Sequence, residues 1–349
     1  MADVFGLSLV EARRKIGSLA QVARVDSFIE TEGEPRGARR LRMINGGGIE
    51  VDVHPDRSLN LGQVTLDGIP IAWMEPAGIS AAAFYNPNGK EWLRTMGGGL
   101  LVTCGLDTFG LPSLDEGKEF GQHGRISAAP ARIITTSSEN GAVVVEGIMR
   151  QSTLYGENLS LRRRISSEIG SDTFRVEDIV TNEGFVDSPH MILYHINPGW
   201  PLLEEGAVLT VPSTGIEPRD ADSAAALESW NEIMPPEADF RSQVLLHTFD
   251  GDGVKEVTLD NHRVGVGLTI RFDLAELPVM YQWRMYAEGS YVLGLEPANC
   301  PGVGGRAQTR ADGNLPILRP GQSVAYLIEF QLRRLGGHQG ATRLAGNVT

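Results

Sequence analysis

Cysteine is nearly absent: two residues, Cys104 and Cys300, in a chain of 349. That is too sparse for a disulfide scaffold and lacks the paired spacing of a structural zinc site, so small buried thiols in a reducing cytoplasm are the expectation. Basic residues are also in deficit. Lys and Arg number 31 against 44 Asp and Glu, a net charge of −13 with the acidic excess spread along the chain. Nucleic acid and anionic membrane faces both call for a basic patch, which removes them from the expected partners. No window approaches the roughly 18 consecutive apolar residues of a membrane span. The start, MADVFGLSLVEARRK, places acidic Asp3 early and Arg13, Arg14 and Lys15 late, the reverse of a secretory signal. Helix signals are scarce as well. Ser8-Leu9-Val10-Glu11 has the spacing of a capping box and predicts one short helix from Glu11 to about Val22, interrupted at Gly17.

Glycine and proline, 42 and 19 residues, are plentiful and punctuate short β-branched and apolar stretches such as RRLRMI, IEVDVH, AVVVEGIM, TFRVEDIVTN, VGVGLTIRFDL and VAYLIEFQLRR. More than a dozen such stretches predict an all-β fold, a large sandwich of antiparallel sheets with a short N-terminal helix. We divide the chain into a helix and lead-in over 1–36, a β-sandwich domain over 37–335 and a flexible tail over 336–349. The acidic, Pro-containing segment from Ile216 to Phe240 reads as a long loop with one helical turn. In NLSLRRRISS, alternation with Leu161 and Ile165 makes Arg162, Arg163 and Arg164 a solvated strand face.

Three residues stand out for chemistry. His123 lies in Gly121-Gln122-His123-Gly124-Arg125, where glycines let backbone pass close to a ligand or a neighbouring segment; a loop histidine bonded to a carbonyl is the alternative. His195 lies in MILYHINPGW, where alternation puts Leu193, His195 and Asn197 on one face and Ile192, Tyr194 and Ile196 on the other. Glu296 closes the apolar run YVLGLEPAN; a carboxylate there is expensive to desolvate unless paired or used, and Pro297 is expected to stop the ladder and leave it at a strand end. His190, beside Pro189, is read as structural. Trp283, Gln282 and Tyr281 in MYQWRMY, with Arg94 and Arg57, would complete a polar pocket suited to a polyhydroxylated ring, apolar on its C–H faces and polar at its rim. Gly97-Gly98-Gly99 is followed by strand-like LLVTCGL and no GK[ST], so it is no phosphate cradle.

Taken together, HGRIS around His123, ILYHINPGWPL around His195 and LGLEPANC around Glu296 resemble the aldose 1-epimerase (galactose mutarotase-like) superfamily. Within it the chain is most similar to the branch called domain of unknown function 4432, over about residues 10 to 335. The resemblance implies a β-supersandwich with a sugar bound in an open cleft, and metal-independent acid/base chemistry without cofactor. It implies Glu296 as base at the anomeric hydroxyl, His195 as acid at the ring oxygen, and His123 as a second histidine polarising the sugar. Arg94, with Arg57 behind it, would contact ring hydroxyls. Apart from the resemblance, Arg125 and Arg306, two arginines in glycine-rich loops, add an anionic-substituent preference to the expectation. A small-molecule carbohydrate is the expected substrate of a monomer or homodimer. Two other readings stay open: a carbohydrate sensor on the same fold, and glycoside hydrolysis or lysis, which ordinarily asks for a second carboxylate.

Overall fold

Strands whose side chains alternate inward and outward need a partner layer for the apolar face, and the chain supplies two sheets that cover each other. The computed structural model describes residues 3–336. The larger sheet, of eleven strands, runs from Gly215–Pro218 through Gln243–Thr248, Val279–Ala287, Ser290–Ala298, Met191–Ile196, Leu101–Leu106, Asn60–Leu66, Ile49–His54 and Arg39–Ile44 to Arg24–Ile29. The smaller, of eight, has Ala142–Ser152, Asn158–Glu168, Thr173–Asn182, Ser323–Arg334, Val266–Asp273 and Val254–Asn261 at its centre. Every pairing in both sheets is antiparallel. Leu61, Leu101, Ile192, Tyr194, Leu293 and Leu295 of the larger sheet meet Val145, Leu161, Phe174, Ile270 and Phe330 of the smaller in one core.

The large sheet has a second apolar face. Trp92, Val102, Cys104, Met191, Leu193, Tyr281 and Cys300 cluster there, away from the sandwich core. Both thiols are free and buried.

Four details differ from the sequence reading. The first helix is shorter: Ser8 and Glu11 close the capping box, but the helix is only Leu9–Arg13, and a 3₁₀ turn at Leu19–Gln21 takes the place of its second half. The lead-in contributes Arg24–Ile29 as an edge strand of the large sheet. Pro297 does not end its strand, which continues to Ala298 paired with Val279. Arg163 is not solvated at all. It shares the inward face with Leu161 and Ile165, while Arg162 and Arg164 point outward to Glu146. The Ile216–Phe240 excursion carries a helical turn at Ala221–Ala224. The tail expected over 336–349 lies, beyond Gly336, outside the described residues.

Buried Arg163 is accounted for by its partners. Its Nε and Nη2 donate to both oxygens of Asp178 at 2.8 and 2.5 Å, its Nη1 donates to Ser58 O at 3.2 Å, and Tyr194 Oη donates to Asp178 Oδ2 at 2.8 Å. Arg163 and Asp178 come from the small sheet and Tyr194 from the large one, so the ion pair also joins the layers. A buried pair breaks asymmetrically, because losing one partner strands the other charge without water. Asp178→Ala is expected to cost about 3–5 kcal/mol in chemical denaturation. A loss under about 1 kcal/mol, the scale of a surface pair, would mean that Arg163 is solvated in solution.

Candidate active site

The strand Met191–Ile196 places Tyr194 into the core and His195 on the opposite face, as period two requires. The next strand in the sheet is Ser290–Ala298. Their register, fixed by Leu193 opposite Ala298 and Ile196 opposite Leu295, sets His195 opposite Glu296 and Tyr194 opposite Pro297. Pro297 has no N–H, so it cannot bond across to Tyr194. Glu296 Oε1 comes to 3.2 Å from His195 Nε2, and both side chains are buried. Gly294 makes room for this carboxyl: a Cβ on residue 294 would run into Glu296 Oε1.

His195 is aimed by Asn197, whose Oδ1 lies 2.5 Å from His195 Nδ1. The Asn197 Nδ2 donates to Gly99 O and His195 O, which leaves its Oδ1 to accept the proton of Nδ1. Nε2 is therefore the ring atom presented to Glu296. His123 reaches the site from a loop in which it adopts φ +57°, a left-handed conformation that its backbone bonds to Gly110 and Gly105 hold in place. Gly124 follows at φ +69°, packed so closely on the 101–106 strand that any side chain would strike Gly105 O and Thr108 O. The His123 ring lies 5.8 Å from that of His195, and its Nδ1 accepts weakly from Gly110 N at 3.4 Å, leaving Nε2–H free to donate.

Tryptophans wall the trio. Trp92 lies 4.5 Å from His123 and 6.1 Å from His195, Trp283 lies 5.4 Å from His195, and Trp73 meets Trp283 edge-on at 6.3 Å. This apolar wall governs the ionisation. Burial pushes the Glu296 carboxyl up to about 8, offset only by the field of Arg219. Burial pulls His195 down to about 4, against its bond to Asn197, and takes His123 down to about 3. Near neutral pH the Glu296 and His195 pair thus holds a single proton, resident on the carboxyl. Among the described residues no group of three or more His, Cys, Asp and Glu is placed to hold a metal ion.

The other residues singled out in the sequence divide. Trp283 stands in the wall, its Nε1 donating to Ser242. Asn197 is a positioning residue for His195. Arg57 requires correction: its guanidinium is buried and spent on Ser127 O, Ser80 O and Thr95 O, and so braces the loops around Trp92, whose Nε1 donates to the same Ser127. Gln282 requires it too. It points to the core face, bonded to His247 and to Trp230 O, because Tyr281 and Trp283 take the site face of that strand. Arg94 is exposed, 3.8 Å from Glu91, and no contact links it to the trio. Arg125 is paired with Glu157 and Arg306 with Asp115, so neither offers a free cation. His190 is structural, its ring nitrogens on Leu106 O and Tyr326 Oη. Trp73, Trp92 and Arg219 join the site without a place in the sequence-based set. Trp92 sits in the WLR stretch with Arg94 and could have been weighed with it, whereas nothing local marks Arg219 inside its acidic excursion.

The sequence profile of the family described as domain of unknown function (DUF4432) matches residues 35–332. The chain belongs to that family. The DUF4432 match takes in both sheets' central strands and the whole of the site. Among solved structures, a candidate aldose 1-epimerase from Klebsiella pneumoniae subsp. pneumoniae MGH 78578 is 24% identical, with 88% of this chain and 83% of that one covered at a TM-score of 0.80. Galactose 1-epimerase from Lactobacillus acidophilus NCFM is 12% identical, with 90% and 99% covered at 0.58. A galactose mutarotase-like protein from Lactobacillus casei ATCC 334 is 13% identical, with 84% and 100% covered at 0.55. At these identities the likeness establishes the fold, which is mostly β and galactose mutarotase-like. No curated protein matches the chain.

The desolvated carboxyl has a consequence for stability. Unfolded, Glu296 ionises near its ordinary value of 4.5; folded, it holds its proton to about 8. A raised carboxyl contributes stability that is complete below about pH 4.5 and is lost as pH rises toward 8, because the unfolded state releases the proton first. Glu296→Gln removes that dependence. Its melting temperature relative to the unaltered protein is expected to rise steadily across this window, read by calorimetry in matched buffers; a constant difference would show that Glu296 ionises normally.

Proposed function

We propose that this chain is a mutarotase-like isomerase that interconverts the α and β anomers of a free sugar or sugar derivative by acid/base ring opening and closure. The observation that carries the reading is the buried contact of Glu296 Oε1 with His195 Nε2 at 3.2 Å inside a tryptophan wall. Anomer exchange needs one proton taken and one given on the same molecule, with no net change. A pair holding one proton meets that requirement, since moving it from Glu296 to His195 leaves a carboxylate base beside an imidazolium acid. Asn197 Oδ1 supports the imidazolium through Nδ1–H.

In the forward step Glu296 takes the anomeric hydroxyl proton. The freed pair forms the C1 carbonyl as the bond from C1 to the ring oxygen breaks, and His195 gives its proton to that oxygen. Rotation about C1–C2 turns the other carbonyl face to the ring hydroxyl. Closure then returns the protons, from the hydroxyl to His195 and from Glu296 to the new anomeric oxygen. His123, neutral and with Nε2–H free, donates a hydrogen bond without competing for either proton. The tryptophans receive the apolar C–H faces of the ring.

Two measurements by saturation-transfer NMR on a panel of deoxy, acidic, aldose and ketose sugars check this. Glu296→Gln is expected to lose about 10²- to 10⁴-fold in exchange rate with sugar affinity nearly unchanged. Exchange at the unaltered rate in that variant would overturn the assignment of the base. The rate is also expected to trace a bell, falling below about pH 4, where no base remains, and above about pH 8, where no acid remains.

A further inference from the structure

A cavity of ≈530 Å³ lies against the loop that carries His123, with Gly121, Gly124 and Arg125 in its wall; Glu296, His195 and His123 are not part of it. Its wall also takes in the turn 153–157, the segment 182–189, the Lys118–Phe120 strand, Asp107, Thr108, Glu116 and Arg306. Pockets of this size take ligands of one or two rings.

The charge of the wall narrows the ligand. Lys118, Arg125 and Arg306 face Asp107, Glu116, Glu119, Glu157 and Asp187, an excess of two carboxylates. Arg125 is already paired with Glu157, and Arg306 donates to Asp115 at 2.7 Å with Asp107 at 3.6 Å. An anion would enter against the net field and find, among the described residues, one free cation, Lys118. A hydroxyl, which both donates and accepts, suits a wall that carries both carboxylates and an ammonium.

Several groups in the wall have spare bonding capacity. The side chains of Lys118, Glu119 and Asp187 enter no ion pair or hydrogen bond among the described residues. Thr108, 2% exposed, keeps a buried hydroxyl without a partner, a cost ordinarily met by a bond to something. At the rim Tyr155 is 99% exposed and offers a free aromatic face, whereas the Phe120 face is taken by Arg306 at 4.2 Å. An aromatic face beside free donors and acceptors is the chemistry that recognises a pyranose.

We propose that this cavity is a second saccharide-binding site that takes a neutral mono- or disaccharide. It holds the sugar against Tyr155, with Lys118 and Asp187 as polar contacts, and it does not rest on turnover at Glu296.

The test is isothermal titration of the full chain with glucose, galactose, lactose and maltose, and with glucuronate as the anionic counterpart. It is repeated on the Glu296→Gln protein and on a Lys118→Met, Tyr155→Ser, Asp187→Asn variant, whose changes sit at the rim. A neutral-sugar binding event separate from any at Glu296 is expected in both the unaltered and the Glu296→Gln proteins, and that event is expected to weaken at least about tenfold in the triple variant, while any anomer exchange dependent on Glu296 is retained. Failure of the isomerase reading would leave this binding in place, so the two are distinguishable. Equal affinity in the triple variant, preference for glucuronate, or no neutral-sugar binding would each overturn the proposal. So would a concentration-dependent dimer by light scattering that the triple variant abolishes: the nearby exposed Leu154, Phe185 and Val186 would then belong to an interface with a second copy of the chain.

Discussion

Arg163 and Asp178 leave water together, and much of the site depends on how that is made tolerable. Neither could be buried alone. Asp178 completes its bonding with Tyr194, which belongs to the opposite sheet and is the residue before His195. The layer contact and the candidate site are thus two sides of one strand: what fixes Tyr194 in the core fixes the direction in which His195 leaves the other face.

The same removal of water sets the chemistry. A tryptophan wall disfavours charge on both partners, raising the carboxyl and lowering the imidazole, so neutral forms are held where solution would give a carboxylate. Little Coulombic help is at hand, since Arg219 is the one charge whose field lowers Glu296 and it is itself paired with Asp220. The geometry therefore favours moving a proton between two poised groups over holding a fixed charge.

Period-two alternation made the fold and the inner site legible in the sequence. The faces assigned to Leu193, His195 and Asn197 were right because a strand with one face in a core cannot slip by one residue without inverting every side chain. The same rule, applied strictly, would have placed Arg163 inward with Leu161 and Ile165; a run of three arginines outweighed the pattern because Asp178 and Tyr194, its justification, lie elsewhere in the chain. Arg57 and Gln282 read as pocket residues in the sequence for a related reason. A polar side chain near a site reads the same whether its donors are free or spent, and their partners at Ser127, Thr95, His247 and Trp230 are brought in only by the tertiary fold. Pro297 does interrupt hydrogen bonding, as proline must, but toward only one of its two neighbouring strands.

The vacancy at Gly294 bears on how such a site could be lost. The space into which Glu296 turns is kept open by a missing methyl group two residues away on the same strand. One alanine there would displace the carboxyl while leaving Glu296, His195, His123 and Asn197 in the sequence. A descendant carrying that change would keep every motif residue without their geometry, so for chains of this kind the small residue is as diagnostic of an intact Glu296 and His195 contact as the acidic one.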